Sequence, residues 1–330
     1  NTHSHFSYSP KITFHRYKKL VAEAGSRDAA GARQKKLFLT AGWQPELVDE
    51  FFAWKQTVNT EKLDETLYQE HITAIPYGDE HYPTLLQELY DPQLCLFVRG
   101  TLPTHTNTTV GVVGTRAYTP YGKQVVDSYI PPLVEAGACI VSGLAIGIDS
   151  LAHKKTLDHG GVTLGVLGSG VNKTHIFPKE NSRLGEDIIA QGGALISEYP
   201  PYTLPTVYSF PKRNRIIAGL SRGTLIIEAG EKSGALITAQ VALDLHRDVF
   251  AVPHNIFSPK GKGNNQLIAQ GAHLTESPED IQEILGLQTS HAYVTNTPIP
   301  HATKEEQTIL GYLSKEPLHI DALGKLLNMG

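Results

Sequence analysis

Lys212, Arg213, Arg215 and Arg222 fall in a stretch that holds no Asp or Glu between Glu198 and Glu228. Phe210 leads the block, Asn214 sits inside it, and Tyr199, Tyr202 and Tyr208 lie just ahead. Cations with no carboxylate close by in sequence suit phosphate, which a guanidinium grips through two parallel hydrogen bonds. Aromatic faces stack on nucleobases at about 1–3 kcal/mol per base, with little regard to base identity. A free nucleotide needs one such face, whereas several rings beside several cations suit a strand of nucleic acid. The competing reading is a rigid loop, set by Pro200, Pro201, Pro205 and Pro211, that packs its rings into the core.

Three other segments carry residue types that seat anions. Val113-Gly114-Thr115-Arg116 follows a buried-strand pattern and resembles a phosphate turn. Neither the three-glycine dinucleotide spacing nor a P-loop Gly-Lys-Ser/Thr is present. Arg116 stands where a glycine would let backbone approach a pyrophosphate, so it fits a single phosphate held by a side chain; the alternative is an Arg that caps helix carbonyls. Ser142-Gly143-Leu144-Ala145-Ile146-Gly147-Ile148-Asp149 brings backbone close to whatever lies above its strand. Asp149 and His153 are one helical turn apart, the spacing of a metal or acid/base pair. No further ligand accompanies them, and a first-turn carboxylate beside a packed histidine is the simpler reading. Ser233-Gly234-Ala235-Leu236-Ile237-Thr238-Ala239 opens a helix whose first N–H groups, with the Ser233 and Thr238 hydroxyls, make another anion seat.

Catalysis finds little support. There is no Gly-x-Ser-x-Gly elbow, and the 15 His are scattered. Cys95 and Cys139 sit in apolar, strand-like surroundings and read as buried small hydrophobes. No catalytic residue, metal or cofactor is expected.

The elements that must position these segments are legible from periodicity. Phe14, Tyr17, Leu20 and Val21 share helical spacing, as do Leu47, Val48, Phe51 and Phe52, so residues 1–75 read as a small helical module. A strand is expected over 94–98 and a Thr-rich linker over 100–109. From 109 on, strands at 110–113, 139–141, 162–167, 194–197, 224–227 and 249–252 alternate with helices. That is the pattern of a doubly wound, mostly parallel α/β sheet of Rossmann-like type, spanning 76–288, whose ligands bind outside the carboxyl ends of the strands. Residues 289–300 read as a linker. Residues 301–330 show two amphipathic helices split by Lys315-Glu316-Pro317, a spacing that suits the first half of a helix-turn-helix.

Composition agrees with an anionic ligand for the middle of the chain. The net charge of −4 is spread unevenly: residues 1–91 carry 10 Lys/Arg against 13 Asp/Glu, residues 92–275 carry 16 against 12, and residues 276–330 carry 3 against 8. No apolar run reaches the roughly 18 residues of a membrane span, and no charged-then-apolar leader pattern opens the sequence. A cytoplasmic protein with no membrane partner is expected.

In this order the segments resemble the DNA-processing protein A family (DprA, also called Smf). The resemblance runs from about Tyr82 to Thr275 and rests on Tyr82-Pro83-Thr84-Leu85-Leu86, Leu96-Phe97-Val98-Arg99-Gly100, Gly114-Thr115-Arg116 and the 142–149 block. Phe177-Pro178-Lys179-Glu180-Asn181, Ser197-Glu198-Tyr199-Pro200, the Phe210–Ser221 block, the 233–239 block and Asn264-Asn265-Gln266-Leu267-Ile268 complete it. It implies a non-catalytic protein that binds and protects incoming single-stranded DNA, forms homodimers and loads RecA recombinase during natural transformation. It also implies that the N-terminal module is SAM-like and that residues 301–330 are a partial winged-helix-like domain. Carried over by motif, Arg116 would grip a backbone phosphate and Phe210 would stack on or wedge beside a base. Lys212, Arg213 and Arg215 would line the same pocket or brace its loop, with Gly114, Ser142, Gly143, Lys179, Asn214 and Ser233 completing the DNA-binding set. His254 stands where the family commonly has Gly, His246 where Gly usually precedes the Arg, and Val207 is apolar where some members offer a cation.

A rival from the enzyme class is a nucleoside-monophosphate phosphoribohydrolase of the lysine-decarboxylase-like Rossmann group, which carries a Gly-Gly-x-Gly-Thr-x-x-Glu motif. Here Gly223-Thr224-Leu225-Ile226-Ile227-Glu228 has one extra residue before the Glu and lacks the paired glycines. A one-residue slip along a strand turns the side chain to the other face, so Glu228 is expected to be structural.

Overall fold

The computed structural model describes residues 12–26, 29–30, 35–57, 59–103 and 108–287. The expected linker at 289–300 and the winged-helix-like tail at 301–330 lie outside the described residues.

Helices α1 (Phe14–Ala24), α2 (Lys35–Thr40), α3 (Pro45–Thr57) and α4 (Thr60–Gln69) come first. Thr13 caps α1 by accepting from the Arg16 N–H, and Gly25 ends it in the left-handed region. Tyr17, Leu20, Phe38, Trp43, Val48 and Phe51 gather into an apolar cluster of their own. The helical spacing read from these residues therefore reports a real buried face.

Strands β1 (Ile72–Pro76), β2 (Cys95–Gly100), β3 (Thr109–Val113), β4 (Cys139–Ser142), β5 (Thr163–Val166), β6 (Ala194–Ser197), β7 (Gly223–Ile226), β8 (Asp248–Ala251) and β9 (His273–Leu274) form one nine-stranded sheet, in the order β1-β2-β6-β5-β4-β3-β7-β8-β9. From β6 to β9 every pairing is parallel, while β1 and β2 add an antiparallel edge. Two of these strands carry no sequence signal strong enough to predict. β1 falls at the end of the stretch read as helical, and β9 has only two residues; each is extended because a neighbouring strand supplies its hydrogen bonds.

Side chains alternate across the sheet and feed two apolar layers. Val110 and Val112 of β3 and Ile140 of β4 join Val126, Ile130 and Ile148 on one side. Val113, Cys139 and Val141 join Ile216, Ile217 and Ala239 on the other. The helices that cover these layers are α6 (Pro120–Glu135), α7 (Ile148–Asp158), α8 (Ser182–Ala190), α9 (Ser209–Leu220), α10 (Ala235–Asp244), α11 (Lys262–Ala269) and α12 (Pro278–Leu285), with a short α5 (Thr84–Gln87) between β1 and β2. Ser277 and Asp280 cap α12 reciprocally, and Pro278 takes its first turn.

The chain runs outward from β3 through β4 and β5 to β6, then returns by α9 to place β7 on the other flank of β3. Strand order therefore reverses between β3 and β7. In open parallel sheets the crevice above such a reversal, at the carboxyl ends of the strands, is where ligands sit.

Candidate functional site

A cavity of about 630 Å³ opens at that reversal. Val113 to Arg116 from the end of β3 form one wall, and Phe210, Arg213, Asn214 and Ile217 of α9 form another. The loop after β7 and the first turn of α10 (Gly230, Lys232 to Ala235, Ile237, Thr238) close it, with Lys260 beyond. Four of the α9 lining residues stand at i, i+3, i+4 and i+7 on one helical face, with Pro211 beside them.

Arg116 is exposed, and its guanidinium carbon lies 5.6 Å from the centroid of the Phe210 ring. The Phe210 ring in turn lies 5.7 Å from that of Phe177. A cation over an aromatic face holds both groups ready for a ligand that carries phosphate and base together. The turn that bears Arg116 is clamped: Thr115 donates its N–H to Glu228 O at 2.7 Å and accepts at its own carbonyl from Ile148 N at 3.1 Å. Gly147, at φ 99°, allows this, since a Cβ there would lie 2.3 Å from Thr115 O.

Beneath Arg116 lies Arg213, only 4% exposed. Its Nη1 donates to Val166 O at 2.7 Å, while its Nε is buried without a partner. A Cβ on Gly143 would lie 1.8 Å from Nη1, so this glycine is the floor on which the guanidinium rests. Burial lowers the Arg213 pKa to about 10; the Asp149 carboxylate opposes that and the Arg116 charge adds to it. The Asp149 carboxyl is pushed up by burial, against Arg213 and the N–H groups of Ala145 and Gly143. His153 donates or accepts at Nδ1 with the Thr163 hydroxyl at 2.7 Å, and burial, with Arg213, lowers its pKa to about 3. Thr238, on the first turn of α10, also buries a hydroxyl oxygen without a partner at the cavity wall.

The expected site residues divide. Gly114, Arg116, Phe210, Arg213, Asn214 and Ser233 line the cavity together. Asn214 donates to Gly234 O at 3.1 Å, and the Ser233 hydroxyl accepts from Ala235 N at 3.3 Å. Ser142 and Gly143 lie beneath it: Ser142 is fully buried and donates to Val112 O. Lys179 is exposed on a 3-10 turn (Lys179–Asn181), two residues past Phe177. Lys212 and Arg215 do not line the cavity. Both reach the Glu198 carboxylate, at 3.1 and 2.6 Å, and Arg215 also donates to Asp91 O. The cations that look uncompensated in the sequence are thus partly neutralised, by the glutamate that bounds their own acid-free stretch. Lys232 and Lys260 are cavity residues that the sequence reading did not single out, and Thr238 was read as part of an anion seat but not placed in the DNA-binding set. The strand-end loop and helix start that marked Ser233 and Thr238 also held Lys232, whereas nothing local marked Lys260.

Glu228 is fully buried and accepts from the Thr119 N–H and hydroxyl, both at 2.9 Å, while Thr119 caps α6. Cys95 and Cys139 are buried free thiols. Among the described residues no group of three or more His, Cys, Asp and Glu could hold a metal ion, and no helix is long and apolar enough to cross a membrane.

The model of the family described as DNA recombination-mediator protein A matches residues 73–286. The chain belongs to that family. DNA processing protein DprA of Bacillus subtilis is 44% identical over 218 residues, covering 66% of this chain and 72% of that protein. Protein Smf of Escherichia coli is 44% identical over 219 residues, 66% of this chain and 58% of its own length. The X-ray structure of DprA from Streptococcus pneumoniae superposes with a TM-score of 0.69 at 33% identity, covering 86% of this chain and 97% of that one. DNA processing protein A from Helicobacter pylori, solved for its single-stranded DNA binding mode, gives a TM-score of 0.57 at 29% identity over 65% of this chain and 95% of that one. The recombination-mediator family match spans β2 to β9, all of β1 but Ile72, and all the cavity residues.

Proposed function

We propose that this chain is a non-catalytic recombination mediator that binds single-stranded DNA at the β3/β7 cavity. The observation that carries this reading is the Arg116–Phe210 pair over the buried Arg213, at the carboxyl ends of the strands. Arg116 holds a backbone phosphate and Phe210 stacks on the adjoining base. Arg213 supplies fixed positive potential from below, and Thr238, Ser233 and the first turn of α10 receive a second phosphate. Lys179, exposed past Phe177, serves the same strand. Contacts of this kind read backbone and π-face, so sequence preference is slight and affinity falls steeply with salt. Membership of the family and the DNA binding mode of the Helicobacter pylori relative support the reading. A homodimer that protects incoming DNA and hands it to RecA recombinase in the cytoplasm, within natural transformation, is the fuller form of the proposal.

The deciding experiment is fluorescence anisotropy with oligo-dT and with a duplex of equal length at two salt concentrations. Preference for the single strand, lost together with Arg116→Ala and Phe210→Ala, is the expected result. Unchanged affinity in both variants sinks the site. The phosphoribohydrolase reading is disfavoured by the position of Glu228, which is spent on Thr119 and does not line the cavity. Release of free adenine from AMP on incubation would restore it.

A further inference from the structure

Beyond the cavity, the loop after β8 presents two large apolar side chains to solvent: Ile256 is 79% exposed and Phe257 is 87% exposed. The backbone beneath them is firmly held. Asn265 accepts from the His254 N–H at 3.0 Å and donates to the His254 carbonyl at 2.9 Å. His254 Nε2 donates to Ile227 O at 3.0 Å, and Tyr121 donates its hydroxyl to Pro253 O at 2.8 Å. At the tip Asn255 turns the chain by accepting from Phe257 N at 2.9 Å. A large ring that a tightly braced loop leaves in water has a ligand-shaped explanation when its surroundings match one ligand.

The surroundings match nucleic acid. The loop falls in the acid-free stretch between Asp248 and Glu276. Three residues past Phe257, Lys260 donates to Ala117 O, one residue from Arg116, and itself lines the cavity. Lys260 thus links the two features: it lies three residues from the exposed Phe257 in the chain, and it meets the Arg116 turn, over which Phe210 lies, at the edge of the cavity. We infer that Phe257 is a second base-stacking position, which takes a nucleotide of the same single strand after it leaves the cavity past Lys260. This inference rests on the single-stranded DNA reading of the cavity.

The test compares oligo-dT of about 4 nucleotides, enough for the cavity, with oligo-dT of about 20, enough to pass the rim. Phe257→Ala should lower affinity for the long oligomer about tenfold and leave the short one within about twofold, given about 1–3 kcal/mol per stacked base. Phe257→Tyr should restore it. In Phe257→Trp, the added indole fluorescence should be quenched by the long oligomer and not by the short one. Parent-like binding of the long oligomer by Phe257→Ala, or an unquenched Trp, overturns the inference. So does an equal loss at both lengths, which would place Phe257 inside the primary site. Arg116→Ala, run alongside, should weaken both lengths; if it weakens neither while Phe257→Ala still discriminates, the cavity reading fails and the Phe257 contact stands.

Discussion

Phe210, Arg213, Asn214 and Ile217 look from one face of α9 into the cavity, while Lys212 and Arg215 leave another face for Glu198. Neighbours in sequence with the same charge thus meet opposite environments. Arg213 is sealed under the cavity with a donor unspent, whereas Arg215 is consumed by a carboxylate and a carbonyl, and Lys212 keeps 53% of its side chain in solvent beside its partner. The lesson is that a basic block on a helix is two or three separate features, sorted at 100° per residue.

The sharpest test of that contrast is Arg213→Ala. It empties a buried site, orphans the Val166 carbonyl and leaves Asp149 facing the gap, so unfolding free energy should fall by about 3–5 kcal/mol in chemical denaturation. DNA binding should be lost as well. Next come Arg116→Ala and Phe210→Ala on the open side of the same face. Each should weaken oligo-dT binding about tenfold, with unfolding free energy changed by no more than about 0.5 kcal/mol. Titrations across salt should show the slope for Arg116→Ala shallower by about 0.7, one phosphate of a single strand. On the other face, Lys212→Ala should cost at most about twofold in affinity, because its charge is already spent in a half-exposed pair worth about 0.2–1 kcal/mol. A large loss for Lys212→Ala with none for Arg116→Ala would invert the assignment of the two faces.

A separate test reads a pH dependence seated beneath the cavity. His153 has a folded pKa lowered from 6.5 to about 3, so between those values the unfolded chain binds the extra proton. Stability should therefore fall as pH drops from 6.5 toward 3. Asp149, with a raised folded pKa, contributes in the opposite sense above its ordinary 3.8. His153→Gln should flatten the acid limb of stability measured by denaturation between those limits; an unaltered slope would assign the loss to other groups.

Much of the fold was legible. The six inner strands announce themselves as short apolar runs between glycines, because strands buried on both faces need no polar alternation. α1 and α3 follow their apolar spacing. β1 and β9 were not legible, since their extension is imposed by neighbouring strands and their few residues carry no period. In the site, Gly114, Arg116 and Ser233 could be found from residue type and position after a strand, and Phe210 and Arg213 from the basic block led by aromatic residues, while Asn214 came with the family motif. Lys260 could not, as it reaches the cavity from a loop 144 positions past Arg116 in the chain, through a bond to Ala117 O.

By itself the sequence determined the alternation of strand and helix, the acid-poor middle of the chain and the strand-end motifs, because these depend on local chemistry and period. Only the tertiary structure decided which cations remain available. Glu198 lies 14 residues before Lys212 and 17 before Arg215, and its carboxylate reaches both only once the end of β6 and α9 are brought together in space. Charge pairing acts over a few ångströms of space, and the fold, not the order of residues, sets those distances.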